Sequence, residues 1–124
     1  MPETHDLQRG LSLSALDIVE RLLDPVGEPR DGVTVSGGEP FAQAKELVTL
    51  LKSLKDLGIH TVVYSGYTLN SLARRGESEV RAALMLTDVL IEGPFIAALA
   101  AGAGEWRGSR NQQVIPNPGA LVKS

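Results

Sequence analysis

Three short apolar runs, each ending at a small-residue corner, constrain this chain more than any other feature. Val33 to Ser36, Ile59 to Tyr64 and Val89 to Glu92 are rich in β-branched and other apolar residues, the composition of short buried strands. Each runs directly into a corner: Gly37-Gly38-Glu39-Pro40, Ser65-Gly66-Tyr67 and Gly93-Pro94-Phe95. Helical patterns separate the runs. Pro40 suits the first turn of a helix in which Leu47, Val48, Leu51, Leu54 and Leu57 recur at helical spacing, with Lys52 and Lys55 off that stripe. Gly58 stands where a C-terminal cap glycine belongs. Thr68 to Arg74 and Ser78 to Met85 read as two short helical pieces split at Gly76. This βαβαβ order predicts an α/β fold with a parallel sheet of βα repeats. In such sheets ligands gather beyond the carboxyl ends of the strands, where these corners stand.

The flanks carry weaker signals. Ser12 and Ser14 are both candidate N-caps for a helix through Leu23, with Leu16, Val19, Leu22 and Leu23 as its apolar face. Asp24-Pro25 ends that helix, and Gly27 to Asp31 form a polar loop. Gln113 to Ile115 is a candidate fourth strand. At 124 residues the chain is one domain's worth, spanning 1–124, and its hydrophobic content of 43% is enough for a core.

Composition excludes several functions. A net charge of −3 and two Phe, two Tyr and one Trp argue against a basic or stacking nucleic-acid surface. No apolar stretch is long enough to span a bilayer, and the acidic Met1-to-Asp6 start is not a signal peptide, so a cytoplasmic protein is expected. The chain has no cysteine and two histidines, His5 and His60. It therefore offers no disulfide framework, no thiolate and no closed zinc site.

Gly37-Gly38-Glu39-Pro40 is the sharpest local signal. Glycines beside a strand end leave room for a ligand against the backbone, and Glu39 offers a charge-assisted acceptor for an ammonium group. Read alone it is a tight turn with an incidental carboxylate. Read in order with Tyr64-Ser65-Gly66-Tyr67-Thr68, Asp88-Val89-Leu90-Ile91-Glu92-Gly93-Pro94-Phe95 and Arg107-Gly108-Ser109-Arg110-Asn111-Gln112, it resembles the radical S-adenosylmethionine family. The resemblance is nearest to the glycyl-radical activating enzymes that serve anaerobic ribonucleotide reductase. Pro2-Glu3-Thr4-His5-Asp6 resembles the stretch that follows the last cluster cysteine in those proteins.

The resemblance implies a partial (βα) barrel, here expected to lack its first strand because the chain starts just downstream of the family's Cys-x3-Cys-x2-Cys loop. It implies S-adenosylmethionine as cofactor, a 4Fe-4S cluster for which these residues hold no ligands, and a glycyl-radical enzyme such as anaerobic ribonucleotide reductase as partner. By the same resemblance the cofactor-binding candidates are Ser36, Gly37, Gly38, Glu39, Pro40, Tyr64, Ser65, Gly66, Glu92, Arg107 and Asn111. Glu92 stands where the family has Asp, Ser65 where it has Thr, and Arg110 where it has a second Ser.

Three functional expectations remain open at this level. The chain is an activase relative that retains the cofactor-shaping half and does not cleave S-adenosylmethionine; or it is a non-catalytic module binding that cofactor or a partner; or the cysteines stand upstream of Met1. A missing first strand would leave an unpaired sheet edge, which invites self-association, so a homodimer is also expected.

Overall fold

The computed structural model describes residues 16–23, 29–104 and 106–122. Ser12, Ser14 and the Pro2–Asp6 segment lie outside the described residues. The architecture is α/β, with one mixed sheet in the order β1-β2-β3-β4-β5. The strands are β1 Leu16–Leu23, β2 Pro29–Gly37, β3 His60–Ser65, β4 Val89–Glu92 and β5 Gln113–Pro116. A 3-10 turn, Pro40–Gln43, opens helix α1, Ala44–Asp56. Helices α2, Leu69–Arg75, and α3, Ser78–Leu86, lie between β3 and β4, and a short α4, Gly119–Val122, follows β5. No helix among the described residues is long and apolar enough to cross a membrane.

The three runs read as strands are the parallel heart of the sheet: β2 pairs parallel with β3, and β3 with β4. Both flanks correct the all-parallel expectation. β5 pairs antiparallel with β4, from Val89↔Pro116 to Glu92↔Gln113. At the other edge, Leu16–Leu23 is a strand rather than the expected helix. It pairs antiparallel with β2 from Leu16↔Gly37 to Leu23↔Pro29, slipping register between Arg21 and Leu23. An eight-residue apolar segment carries both periodicities: Leu16, Ile18 and Leu22 share strand parity as readily as Leu16, Val19 and Leu23 share a helical face. β-branched Ile18-Val19 and an open edge on β2 favour the strand. Pairing also draws Pro29–Asp31 out of the expected loop and into β2. The edge expected to be bare is therefore covered by β1.

The four α-helices of the described residues pack on one face. Val33 and Val35 of β2, Val63 of β3 and Leu90 of β4 share a core with Leu47, Leu50, Leu51 and Leu54 of α1, Leu72 of α2, and Val80, Ala83 and Leu84 of α3. Each fully buried leucine there contributes on the order of 1.5–3 kcal/mol of apolar transfer. Leu50 is fully buried while Leu57 is 53% exposed, so the helix face is rotated from the expected stripe towards Leu50. The chain stops there by the cap the sequence suggests. Gly58 takes φ 73°, its N–H donates to Lys55 O, and Ile59 N–H donates to Leu54 O, the paired bonds of a Schellman motif. Gly76, at φ 67°, likewise ends α2.

The opposite face is smaller. Val62, Val89 and Ile91 meet Tyr64 and Trp106, and the Tyr64 hydroxyl donates to the Trp106 carbonyl. The segment between β4 and β5 thus covers the face that the helices leave open, and every residue of β4 is buried.

Candidate functional site

The exits of β2, β3 and β4 converge on one cavity of about 290 Å³, lined by Ser36, Gly38, Glu39, Pro40, Tyr64, Ser65, Gly66, Gly93, Phe95 and Gln112. Parallel pairing forces this meeting, because it brings the ends of neighbouring strands, and the turns that follow them, to one rim. Seven of the eleven expected residues line the cavity: Ser36, Gly38, Glu39, Pro40, Tyr64, Ser65 and Gly66. Gly37 lies in β2 between two of them.

Glu39 joins two corners. It caps the 3-10 turn, accepting from Phe41 N–H at 3.1 Å through Oε2. The same oxygen accepts from the Ser65 hydroxyl at 2.9 Å, and Oε1 accepts from Gly66 N–H at 2.7 Å. A Cβ on Gly66 would lie 3.5 Å from that Oε1, an ordinary contact, so neither crowding by Glu39 nor an unusual φ demands glycine there. A carboxylate has about four lone-pair positions. With three donors in place, one position on Oε1 stays available at the cavity wall.

The third corner is tied to the second. Gly93 N–H donates to Ser65 O at 3.1 Å and to Tyr67 O at 3.2 Å. Gly93 adopts φ 109°, a backbone that L side chains rarely take. Gln112, 7% exposed, then closes the rim. Its Nε2 donates to Gly93 O at 2.9 Å, and its Oε1 accepts from Gly108 N–H at 2.7 Å and Ser109 N–H at 3.2 Å. Phe95 sits on the wall 61% exposed, with its ring against Gly108; a Cβ there would come within 2.9 Å of Cδ1.

Glu92, Arg107 and Asn111 are not in the lining; the structure uses them as braces. Glu92 is 6% exposed and accepts from Leu69 N–H at 2.9 Å, satisfying a first-turn donor of α2. The Arg107 guanidinium donates to the carbonyls of Ala103, Arg110 and Gln112 at 3.1, 3.0 and 3.2 Å. Asn111 Nδ2 donates to Pro94 O at 2.8 Å, while its buried Oδ1 has no partner among the described residues. Gly93, Phe95 and Gln112 are the wall residues absent from the expected set. They stand within the same two motifs, one to three residues from Glu92 or Asn111, so the motif segments reach the cavity through neighbours of the expected residues.

The donor set does not fit an iron–sulfur cluster. The chain contains no cysteine, and such clusters are held by thiolates. Among the described residues no group of three or more His, Asp or Glu is placed to hold a metal ion. The cavity presents the Glu39 carboxylate, glycine-lined corners and an aromatic wall.

Comparison with known proteins gives a concordant result. A family described as "4Fe-4S single cluster domain" matches residues 2–115. The anaerobic ribonucleoside-triphosphate reductase-activating protein of Haemophilus influenzae is 37% identical over 89 residues, covering 67% of this chain and 54% of that protein. Its namesake from Vibrio cholerae is 37% identical over 93 residues, covering 68% and 55%. The pyruvate formate-lyase-activating enzyme of Clostridium pasteurianum is 37% identical over 68 residues, covering 50% and 27%. The chain thus spans about half the length of the reductase-activating relatives it matches. No solved structure matches it. By sequence the chain belongs to the 4Fe-4S single cluster domain family, among the glycyl-radical activases.

Proposed function

We propose that this chain is one domain forming the S-adenosylmethionine-binding part of a radical S-adenosylmethionine activase that serves a glycyl-radical enzyme of the anaerobic ribonucleotide reductase kind. The observation that carries the reading is the convergence of three strand-end corners on one cavity, with an acceptor position of Glu39 available at its wall. The relatives' names support the kind of partner. Consecutive parallel strands with the four described α-helices on one face support a partial barrel, because a doubly wound sheet would carry helices on both.

In this reading Glu39 accepts from the ammonium of the methionyl group. Gly38, Gly66 and Gly93 leave the backbone open to close approach, and Tyr64 and Phe95 supply apolar wall. The cofactor's sulfonium is the group whose reductive cleavage defines the family's chemistry. These 124 residues hold no thiolate to support that reduction. The chain by itself therefore binds the cofactor without cleaving it.

Two measurements on the 124-residue chain test this. Calorimetric titration with S-adenosylmethionine is expected to show saturable binding in the absence of iron. After anaerobic incubation with iron, sulfide and a strong reductant, no 5′-deoxyadenosine is expected. Absence of heat at millimolar cofactor overturns the binding reading, and robust 5′-deoxyadenosine overturns the claim that the isolated chain does not cleave.

A further inference from the structure

One residue, through its side chain and its backbone carbonyl, bonds all three corners of the cavity. Ser65, 4% exposed at the end of β3, donates its hydroxyl proton to Glu39 Oε2 at 2.9 Å. Its Oγ accepts from Tyr67 N–H at 3.0 Å, and its backbone carbonyl accepts from Gly93 N–H at 3.1 Å. The proton's direction follows from the partners. An ionised carboxylate only accepts and a backbone N–H only donates, so the single hydroxyl hydrogen points at Glu39. With Phe41 N–H and Ser65 both on Oε2, that oxygen is filled. The lone pair left over belongs to Oε1, which Gly66 N–H holds from one side.

We propose that Ser65 is a positioning residue: its hydroxyl sets the Glu39 carboxylate so that the remaining Oε1 lone pair meets the ligand's ammonium group. This rests on the cofactor reading above. Without the hydroxyl, Oε2 loses one of its two donors. The carboxylate is then held by the Phe41 and Gly66 N–H groups alone, and its plane is less firmly set towards the ammonium. Ser65→Thr keeps the hydroxyl and adds a methyl; Ser65→Ala removes the donor to Glu39 together with the acceptor of Tyr67 N–H.

The test uses calorimetric titration of the full chain with two ligands, S-adenosylmethionine and the S-adenosyl compound lacking the α-amino group. Wild type, Ser65→Ala, Ser65→Thr, Glu39→Gln and the Ser65→Ala/Glu39→Gln double variant are compared, each with a thermal melt to count folded protein. Ser65→Ala is expected to weaken S-adenosylmethionine about tenfold, the scale of one hydrogen bond to a charged group. The same variant leaves the amino-free ligand within about twofold, because that ligand presents no ammonium to a misaligned carboxylate. Ser65→Thr restores wild-type affinity. The double variant binds as weakly as Glu39→Gln alone, since two residues acting through one contact do not add. Equal weakening of both ligands, additive losses, or failure of Ser65→Thr to rescue would each overturn the positioning role while leaving the cofactor reading intact. A wild-type chain that binds neither ligand overturns both.

Discussion

The two rims of the parallel strands each carry a carboxylate that ties neighbouring strands together, and the two joints are built differently. At the amino ends, Asp88 Oδ2 accepts from Thr61 N–H at 2.9 Å and from Thr61 Oγ1 at 3.3 Å, while Asp88 N–H donates back to Thr61 Oγ1 at 3.3 Å. The joint is reciprocal between two residues, and Thr61 is 1% exposed. At the carboxyl ends, Glu39 takes donors from three different residues and keeps an acceptor position at a cavity wall. The first joint closes on one partner residue, Thr61, outside the cavity lining. The second is held by the fold and stands in that lining, and on the proposed reading this opening towards a ligand is what separates a structural clamp from a binding group.

The largest expected effect falls on the closed joint. Asp88→Ala leaves Thr61 N–H and Oγ1 without their acceptor at a buried position and should cost about 2–3 kcal/mol. Urea denaturation reads this as a lower midpoint at unchanged slope. S-adenosylmethionine affinity per folded molecule should stay within about twofold, because neither Asp88 nor Thr61 lines the cavity. A large loss of affinity would erase the distinction between the two rims. Next in size, Glu39→Ala should weaken the cofactor by at least about tenfold, or about 1.4 kcal/mol. It should also cost about 1 kcal/mol of stability through the lost cap. If stability falls and calorimetric affinity does not, Glu39 is a clamp like Asp88 and the rims are equivalent.

The two rims were not equally legible in the sequence. The carboxyl rim announced itself, because β-branched runs ending at Gly37-Gly38, Ser65-Gly66 and Gly93 can only meet there once the strands are parallel. Helix α1 and its end at Gly58 were equally plain, since a leucine stripe and a cap glycine are local signals. Longer-range facts were hidden. Glu92 turns to Leu69, 23 positions away, and nothing at either residue encodes that partner. Arg107 looked like a ligand fork, yet its donors serve carbonyls of its own loop, a choice that depends on how tightly that loop folds. The strand at Leu16–Leu23 was lost because eight apolar-rich residues satisfy helix and strand periods together, and only the edge of β2 decides between them. The one-sided helix layer, by contrast, followed from topology that no single segment displays.

A smaller effect sharpens the comparison on the carboxyl rim itself. Gly108→Ala places a Cβ about 2.9 Å from Phe95 Cδ1 and 3.3 Å from Gln112 Oε1. Phe95 is the exposed partner and can swing outward, so stability should fall by no more than about 1 kcal/mol. The ring supplies cavity wall, so cofactor affinity should drop about threefold, or roughly 0.7 kcal/mol. Ser65-dependent discrimination between the amino and amino-free ligands should survive, because Phe95 lies outside the Glu39 network. Loss of that discrimination would mean that wall and clamp form one unit.

The smallest effect is expected just outside the open joint. Tyr67 N–H binds the Ser65 hydroxyl, while its ring lies 5.4 Å under the Arg75 guanidinium, which pairs with Glu77 at 2.9 Å. The hydrogen bond and charge of Glu77 raise the Arg75 pKa further above its ordinary value. That guanidinium therefore stays charged across the working range and contributes no pH dependence there. The pair is solvent-exposed, where salt and side-chain entropy cancel most of its attraction. Arg75→Ala should leave both the melting midpoint and the cofactor affinity unchanged within error, at low and high salt alike. The backbone bond from Tyr67 to Ser65 does not need its side chain held, since the turn is already fixed by Gly93 N–H donating to Ser65 O and Tyr67 O. A salt-dependent loss of affinity in Arg75→Ala would show that the surface steers the Ser65 hydroxyl, and the open joint would then extend beyond the three strand ends.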